Sequence, residues 1–231
     1  MKKLTTMLTV IILILLVISQ IFLPNYFSSQ LEIGLKQQFD SSQHLDAKVK
    51  SFPALLMLVG VFEAVELEGK GLVVDGLKVD ELEAEFIDVK LEPKSKESSS
   101  WKITKGENKR LKLSFNKSDL EQYLAKQLGS IEDLRLALGP KETILAGAFN
   151  LFGNQIDLKL SGSFELEKNK RLAFAPKNLM VANLMVPEEV VQRLMQEVNF
   201  SLDLTQLPIP LKVEEVKVER DKLIILGGSG D

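Results

Sequence analysis

The side chains best suited to acid–base chemistry in this chain are carboxylates crowded into one stretch: Glu66, Glu68, Asp75, Asp80, Glu81, Glu83, Glu85 and Asp88. Two carboxyls facing each other across a cleft are what glycoside hydrolysis needs, one as acid and one as base or nucleophile. Here they alternate with Val, Leu, Ala and Phe, which is the pattern of a solvated strand face. Envelope hydrolysis by a carboxylate pair is therefore the weakest reading. Histidine occurs once, at His44, beside Leu45 and Asp46 in an expected surface turn. One imidazole cannot build a multi-histidine metal site. Cysteine is absent, which removes thiol nucleophiles, thiolate ligands and disulfides. No G-x-S-x-G, P-loop or G-x-G-x-x-G motif occurs, and the glycines of "GLVVDGL" are wrongly spaced for phosphate and read as strand bends. The chain reads as a non-enzyme with no metal and no cofactor.

The elements that must position these residues begin at a membrane. Lys2 and Lys3 precede an uncharged run from Leu4 to Leu23. Twenty helical residues at about 1.5 Å each span about 30 Å, a bilayer core. Leu4, Ile11, Leu15 and Leu23 are anchor residues on this reading. The lysines predict a cytoplasmic N-terminus with the rest of the chain extracytoplasmic. A cleaved signal peptide, leaving a secreted domain, is the competing reading. Its apolar core would be only about 7–15 residues long, and "SQIFLPNYF" offers no cleavage site. Taking Lys2 and Lys3 from the 29 basic residues leaves 27 against 32 acidic ones. That net-acidic balance carries no footprint for nucleic acid.

The division predicted is an anchor over 1–23, one domain over 24–226 and a loose tail over 227–231. After Pro24, four-residue steps place Phe27, Leu31, Leu35 and Phe39 on one helical stripe that leaves the membrane and docks on the domain. From Val65 the pattern is strands whose apolar frame slips at "GKGLVV", between "LKV" and "LEAEF", and again at "VKLEP". Bulges or bends are the expected repair. "EPKSKESSSWKITKGENKR" reads as an exposed loop or hairpin tip. "SDLEQYLAKQL" is a helix with Ser118 and Glu121 as a capping box and Leu120, Tyr123, Leu124 and Leu128 as its apolar stripe. "TILAGAFNLF" is apolar on both faces. "QIDLKLSGSFELE" alternates, with Ile156, Leu158, Leu160, Phe164 and Leu166 on one face. "VPEEVVQRLMQEV" is a last helix, and "LKVEEVKVE" and "KLIIL" are closing strands. The fold class is α+β, without βαβ alternation.

One segment fits neither strand nor span. "SFPALLMLVGVF" (51–62) is apolar all round. It predicts a Pro-initiated helical turn from Pro53 to Val59, a break at Gly60, and then the first long strand.

Together with the strands after it, this segment makes up "FPALLMLVGVFEAVELEGKGLVVDGLKVDELEAEFIDVKL", which resembles the LmeA-like phospholipid-binding family, long catalogued as a bacterial domain of unknown function. Pro53, Gly60, Val65, Gly71, Leu72, Gly76 and Leu77 stand where that family places its Pro-led apolar turn and Gly-Leu strands. "SDLEQYL" is similar to its central helix and "RLAFAPKNLMV" to a later strand, over about Ser29 to Leu226. "PKSKESSSW" departs from the pattern as an insertion. The resemblance implies a tubular lipid-binding (TULIP-like) fold, a highly curved antiparallel sheet wrapped around helices. It also implies phospholipid or other acyl-lipid binding in the cell envelope, for transfer or maintenance, without catalysis. On that reading Leu55, Leu56, Met57, Leu58, Phe62, Leu145, Phe149 and Leu151 contact lipid. The alternative is an anchored scaffold for a cell-wall or secretion partner, marked by an exposed apolar patch.

Overall fold

The computed structural model describes residues 2–93, 101–127, 131–151, 154–166, 171–182, 184–187, 201–209, 212–219 and 221–228. The expected last helix and Leu128 lie outside the described residues.

Helix α1 runs unbroken from Lys2 to Lys36, with Pro24 inside it. The apolar run and the amphipathic stripe are thus one helix rather than two. Pro24 has no N–H to donate to the carbonyl of Gln20 one turn back, and the helix continues because its second half is held from the side. Phe27, Leu31 and Leu35 are buried along the predicted stripe, and Phe39 is buried just past the helix end. Burial of such a side chain stabilises by about 1.5–3 kcal/mol. The first half has no such support: Met7 through Phe22 present large apolar side chains to the surroundings.

Two antiparallel, curved, open sheets make most of the other described residues. The first consists of β1 (His44–Lys50), β2 (Val61–Val74), β3 (Leu77–Pro93), β4 (Trp101–Asn116), β11 (Val213–Glu219) and β12 (Lys222–Gly227), in the order β1-β2-β3-β4-β12-β11. The second contains β5 (Glu132–Leu138), β6 (Thr143–Leu151), β7 (Asn154–Leu166), β8 (Arg171–Val181) and β10 (Ser201–Asp203), in the order β10-β8-β7-β6-β5. The short β9 (Leu184–Met185) pairs with β8. This is the predicted α+β class with an N-terminal apolar helix, built from two sheets.

The frame slips have a shared cause. β2 and β3 join through Asp75-Gly76, both left-handed (φ 52° and 76°), the Asp-Gly two-residue hairpin. Their pairing keeps one register from Val61↔Lys90 to Val74↔Leu77. The buried set nevertheless changes phase twice on each strand, from Phe62 to Val65 and from Gly71 to Leu72, and from Val79 to Leu82 and from Phe86 to Val89. In that register Glu63 lies opposite Asp88 and Gly71 opposite Asp80, so the slips of the two strands coincide. Asp88 and Gly71 carry the left-handed backbone (φ 50° and 57°). The β2–β3 pairing has no bulge, and bulges meet the predicted slip on the other side of β3, where its register with β4 shifts at Ile87/Lys90 and at Lys90/Leu91 within "VKLEP".

The polar stretch after Pro93 is a strand from Trp101 onward rather than a loop. Trp101 makes an edge contact to Phe27 at 5.2 Å, and a Cβ on Gly34 would overlap the Trp101 carbonyl oxygen. In β7 the predicted alternation holds to Leu160. It fails at Ser161/Gly162, where the register with β8 shifts, and Leu166 is exposed. β12 runs to Gly227, taking the first residue assigned to the tail.

Helix α2 (Lys117–Gln127) ties the sheets together. The predicted capping box does not form, because Ser118 lies within the helix and Glu121 accepts the N–H of Leu136 on β5 at 2.7 Å. Asp119 pairs with Lys78 of β3 at 3.2 Å, and the Lys117 N–H donates to the Asp221 carbonyl in the β11–β12 turn at 3.0 Å. Leu120 and Leu124 are buried as expected. One apolar cluster joins α1, α2 and both sheets.

Candidate lipid-facing site

Between β1 and β2 lies a 3₁₀ segment, Ala54–Val59, entered through Pro53 and closed by Gly60 in the left-handed region (φ 77°). The Gly60 N–H donates to the Met57 carbonyl at 3.0 Å. This is the predicted turn and break. A 3₁₀ helix has three residues per turn, so Ala54 and Met57 share a face, and both are buried. Its remaining faces are exposed. Phe52 is 79% exposed, Leu58 61% and Val59 73%, and Leu55, Leu56 and Val61 are also exposed.

The segment is clamped to α1. Gln20 Nε2 donates to the Ser51 carbonyl and Gln20 Oε1 accepts the Ala54 N–H, each at 2.9 Å. Two helical turns further on, Ser28 Oγ accepts the Val49 N–H of β1 at 3.0 Å. The apolar segment therefore sits beside the helix where its exposed half meets its docked half. Gln20 escaped the sequence reading because it counted as one polar residue in an apolar run. Its signal was an amide at the domain end of that run, four residues before Pro24.

The predicted contact residues separate into three groups. Leu55, Leu56 and Leu58 are on the surface. Met57, Phe62 and Leu145 belong to the buried cluster, with Phe62 edge-on to Phe27 at 5.3 Å. Phe149 and Leu151 lie on β6, and their side chains are outside the described set. Among the anchor residues, Ile11 and Leu15 are exposed, Leu23 packs on the core, and the Leu4 side chain is outside the described set.

Several of the carboxylates are held in ion pairs with lysines. Lys50 pairs with Glu66, Lys109 with Glu85 at 2.9 Å, and Lys112 with Glu83 at 3.3 Å. A hollow of about 820 Å³ is lined by His44, Glu66, Glu68, Lys70, Glu83 and Arg110, chemistry that repels an acyl chain. A smaller cavity of about 200 Å³ is lined by Val74, Leu77, Val79, Leu204 and Leu207, with Tyr123 and Asp203. Burial pushes the Tyr123 hydroxyl up, and the charge of Asp75 adds to the shift. The cavity is smaller than the roughly 300–1,000 Å³ typical of ligand pockets.

The decisive comparison is with family models: the LmeA-like phospholipid-binding model matches residues 19–228. The chain belongs to that family. The matched region begins at Ser19 and takes in Gln20, the 3₁₀ segment and both sheets. Searches of curated proteins and of solved structures returned no match. Membership of the LmeA-like family supports lipid as the ligand class. The helix Thr6–Lys36 is long and apolar enough to cross a membrane, a test that a signal sequence also passes.

Proposed function

We propose that this chain is a membrane-anchored, extracytoplasmic phospholipid-binding protein that holds acyl chains against apolar side chains without catalysing a reaction. The observation that carries this reading is the LmeA-like family match across the whole folded region. The exposed half of α1, preceded by Lys2 and Lys3, supports a retained single-pass anchor with its N-terminus in the cytoplasm.

Leu55, Leu56 and Leu58 are the first side chains a lipid meets on this reading. Met57 and Phe62 lie behind them, Leu145 belongs to the same buried cluster on the second sheet, and all three are reached as the interior admits a chain. At about 0.8 kcal/mol per buried methylene, part of one acyl chain is enough for micromolar affinity, about −8 kcal/mol, after the costs of association. Transfer of lipid between envelope membranes is the role such an anchored binder serves.

The test is lipid extraction and native mass spectrometry of the purified full chain, with uptake of a fluorescent phospholipid from vesicles. Retained phospholipid and saturable uptake are expected. Protein that retains none and takes up none defeats the proposal.

A further inference from the structure

From Ser51 to Val61 the chain carries no charge, and its exposed large apolar side chains there are Phe52, Leu55, Leu56, Leu58, Val59 and Val61. A soluble surface does not leave such a run uncovered without a partner. Its position names the partner. The Gln20 clamp fixes the segment against the same helix whose exposed apolar half begins there. A bilayer crossed by that half has its surface at the level of the segment.

The charges beside the segment agree. Val61 lies directly opposite Lys90 on β3, and Lys90 lies directly opposite Lys105 on β4. The three residues form one transverse row on the outer face, immediately after Gly60. Like charges directly opposite on a sheet destabilise it. Neither lysine has an ion-pair partner among the described residues, although Glu66, Glu83 and Glu85 further along the sheet are paired with lysines. Two ammonium groups at the rim of an apolar wedge, neither held in an ion pair among the described residues although the carboxylates of Glu63, Asp88 and Glu107 lie two residues along the strands, are suited to lipid phosphates.

We infer that the 3₁₀ segment is a second membrane contact. It inserts into the leaflet that α1 crosses, while Lys90 and Lys105 engage the phosphates of anionic lipids. The domain then rests on the bilayer in one pose instead of swinging on its anchor. This inference rests on the retained-anchor reading.

The chain has no cysteine, so single-cysteine variants of the full protein report one place each. Val17→Cys lies on the exposed half of α1, Leu58→Cys on the wedge and Glu68→Cys on the outer face of β2. Each is labelled with an environment-sensitive fluorophore and reconstituted into phosphatidylcholine vesicles, with or without phosphatidylglycerol, containing spin-labelled acyl chains. Trp101 emission checks that each variant is folded. Quenching at Val17 and Leu58 but not at Glu68 is expected. Quenching at Leu58 should rise with phosphatidylglycerol, and the docked-to-undocked ratio should fall about fivefold for each of Lys90→Gln and Lys105→Gln on those vesicles. Quenching at Val17 without quenching at Leu58 overturns the wedge and leaves the anchor standing. Quenching at neither overturns the anchor and the wedge together. Quenching at Leu58 that ignores both phosphatidylglycerol and the lysine variants overturns the phosphate contact.

Discussion

Gln20 Oε1 accepts the backbone N–H of Ala54 at 2.9 Å, across 34 residues of sequence. The same amide group donates to the Ser51 carbonyl, so one side chain holds the backbone on both sides of Pro53. The apolar segment is thereby part of the packing of α1 itself.

Gln20→Leu removes both hydrogen bonds and leaves two part-buried backbone groups unpaired, which costs about 1–3 kcal/mol. Gln20→Glu keeps an acceptor for Ala54 but sets a carboxylate oxygen, which cannot donate, against the Ser51 carbonyl, so it destabilises as well. Thermal unfolding ranks the two, and hydrogen exchange at the Ala54 amide should accelerate in the leucine variant alone.

Gly34 faces the Trp101 carbonyl so closely that a methyl group cannot fit. Gly34→Ala should destabilise by about 1–3 kcal/mol through overpacking. Trp101 is the only tryptophan, so its emission reports any separation of α1 from β4. A variant with native stability and unchanged emission contradicts the contact.

Leu31 is fully buried on α1, whereas Ile33, two residues on, is 43% exposed. Leu31→Ala should cost about 2–5 kcal/mol and Ile33→Ala less than about 0.5 kcal/mol. Equal losses in denaturant unfolding would mean that the helix does not dock by this stripe. Leu58→Asp belongs with Ile33→Ala in stability, but on the proposed function it lowers lipid uptake.

Asp80 and Lys222 meet at 2.7 Å, 142 residues apart, bridging β3 and β12 across the last residues of β4. Burial raises the Asp80 carboxyl, but the hydrogen bond and charge of Lys222, helped by Asn116 and Lys78, outweigh it and hold the group below its ordinary value. Donating that hydrogen bond to Asp80 raises Lys222. Stability from Asp80 is therefore present above its unfolded value near pH 4 and lost as the pH falls through the lowered folded value. Stability from Lys222 is present below about pH 10.4 and lost above its raised value. Both groups are partly exposed, so solvent screening limits the pair to about 0.5 kcal/mol. Lys222→Gln should flatten the acid limb of the stability–pH curve by that amount, as read by urea unfolding from pH 3 to 7.

Several local features were legible because their causes are local. Pro53 and Gly60 bracket the 3₁₀ turn through their own backbone preferences, and Phe27, Leu31 and Leu35 announce the buried stripe by spacing alone. The slips in β2 and β3 were visible as phase changes. That they coincide across the hairpin depends on a register the phase of one strand cannot reveal. The capping box at Ser118 and Glu121 failed because Glu121 found a better partner in Leu136 on another sheet. Trp101–Arg110 looked like loop because its residues are polar, yet backbone pairing with β3 makes it a strand.

By itself the sequence determined the uncharged run near the N-terminus, the lack of any thiol or second imidazole and the greasy turn after Pro53. It also carried the family resemblance that the match over 19–228 bears out. Tertiary structure decided that α1 passes through Pro24 as one helix, that β12 inserts between β4 and β11, and that Met57 and Phe62 face inward while Leu55 and Leu58 face out. The reason is range. Composition and periodicity act over a few residues, whereas the Gln20–Ala54 bond, the Trp101–Gly34 contact and the Asp80–Lys222 pair exist only once distant segments are packed together.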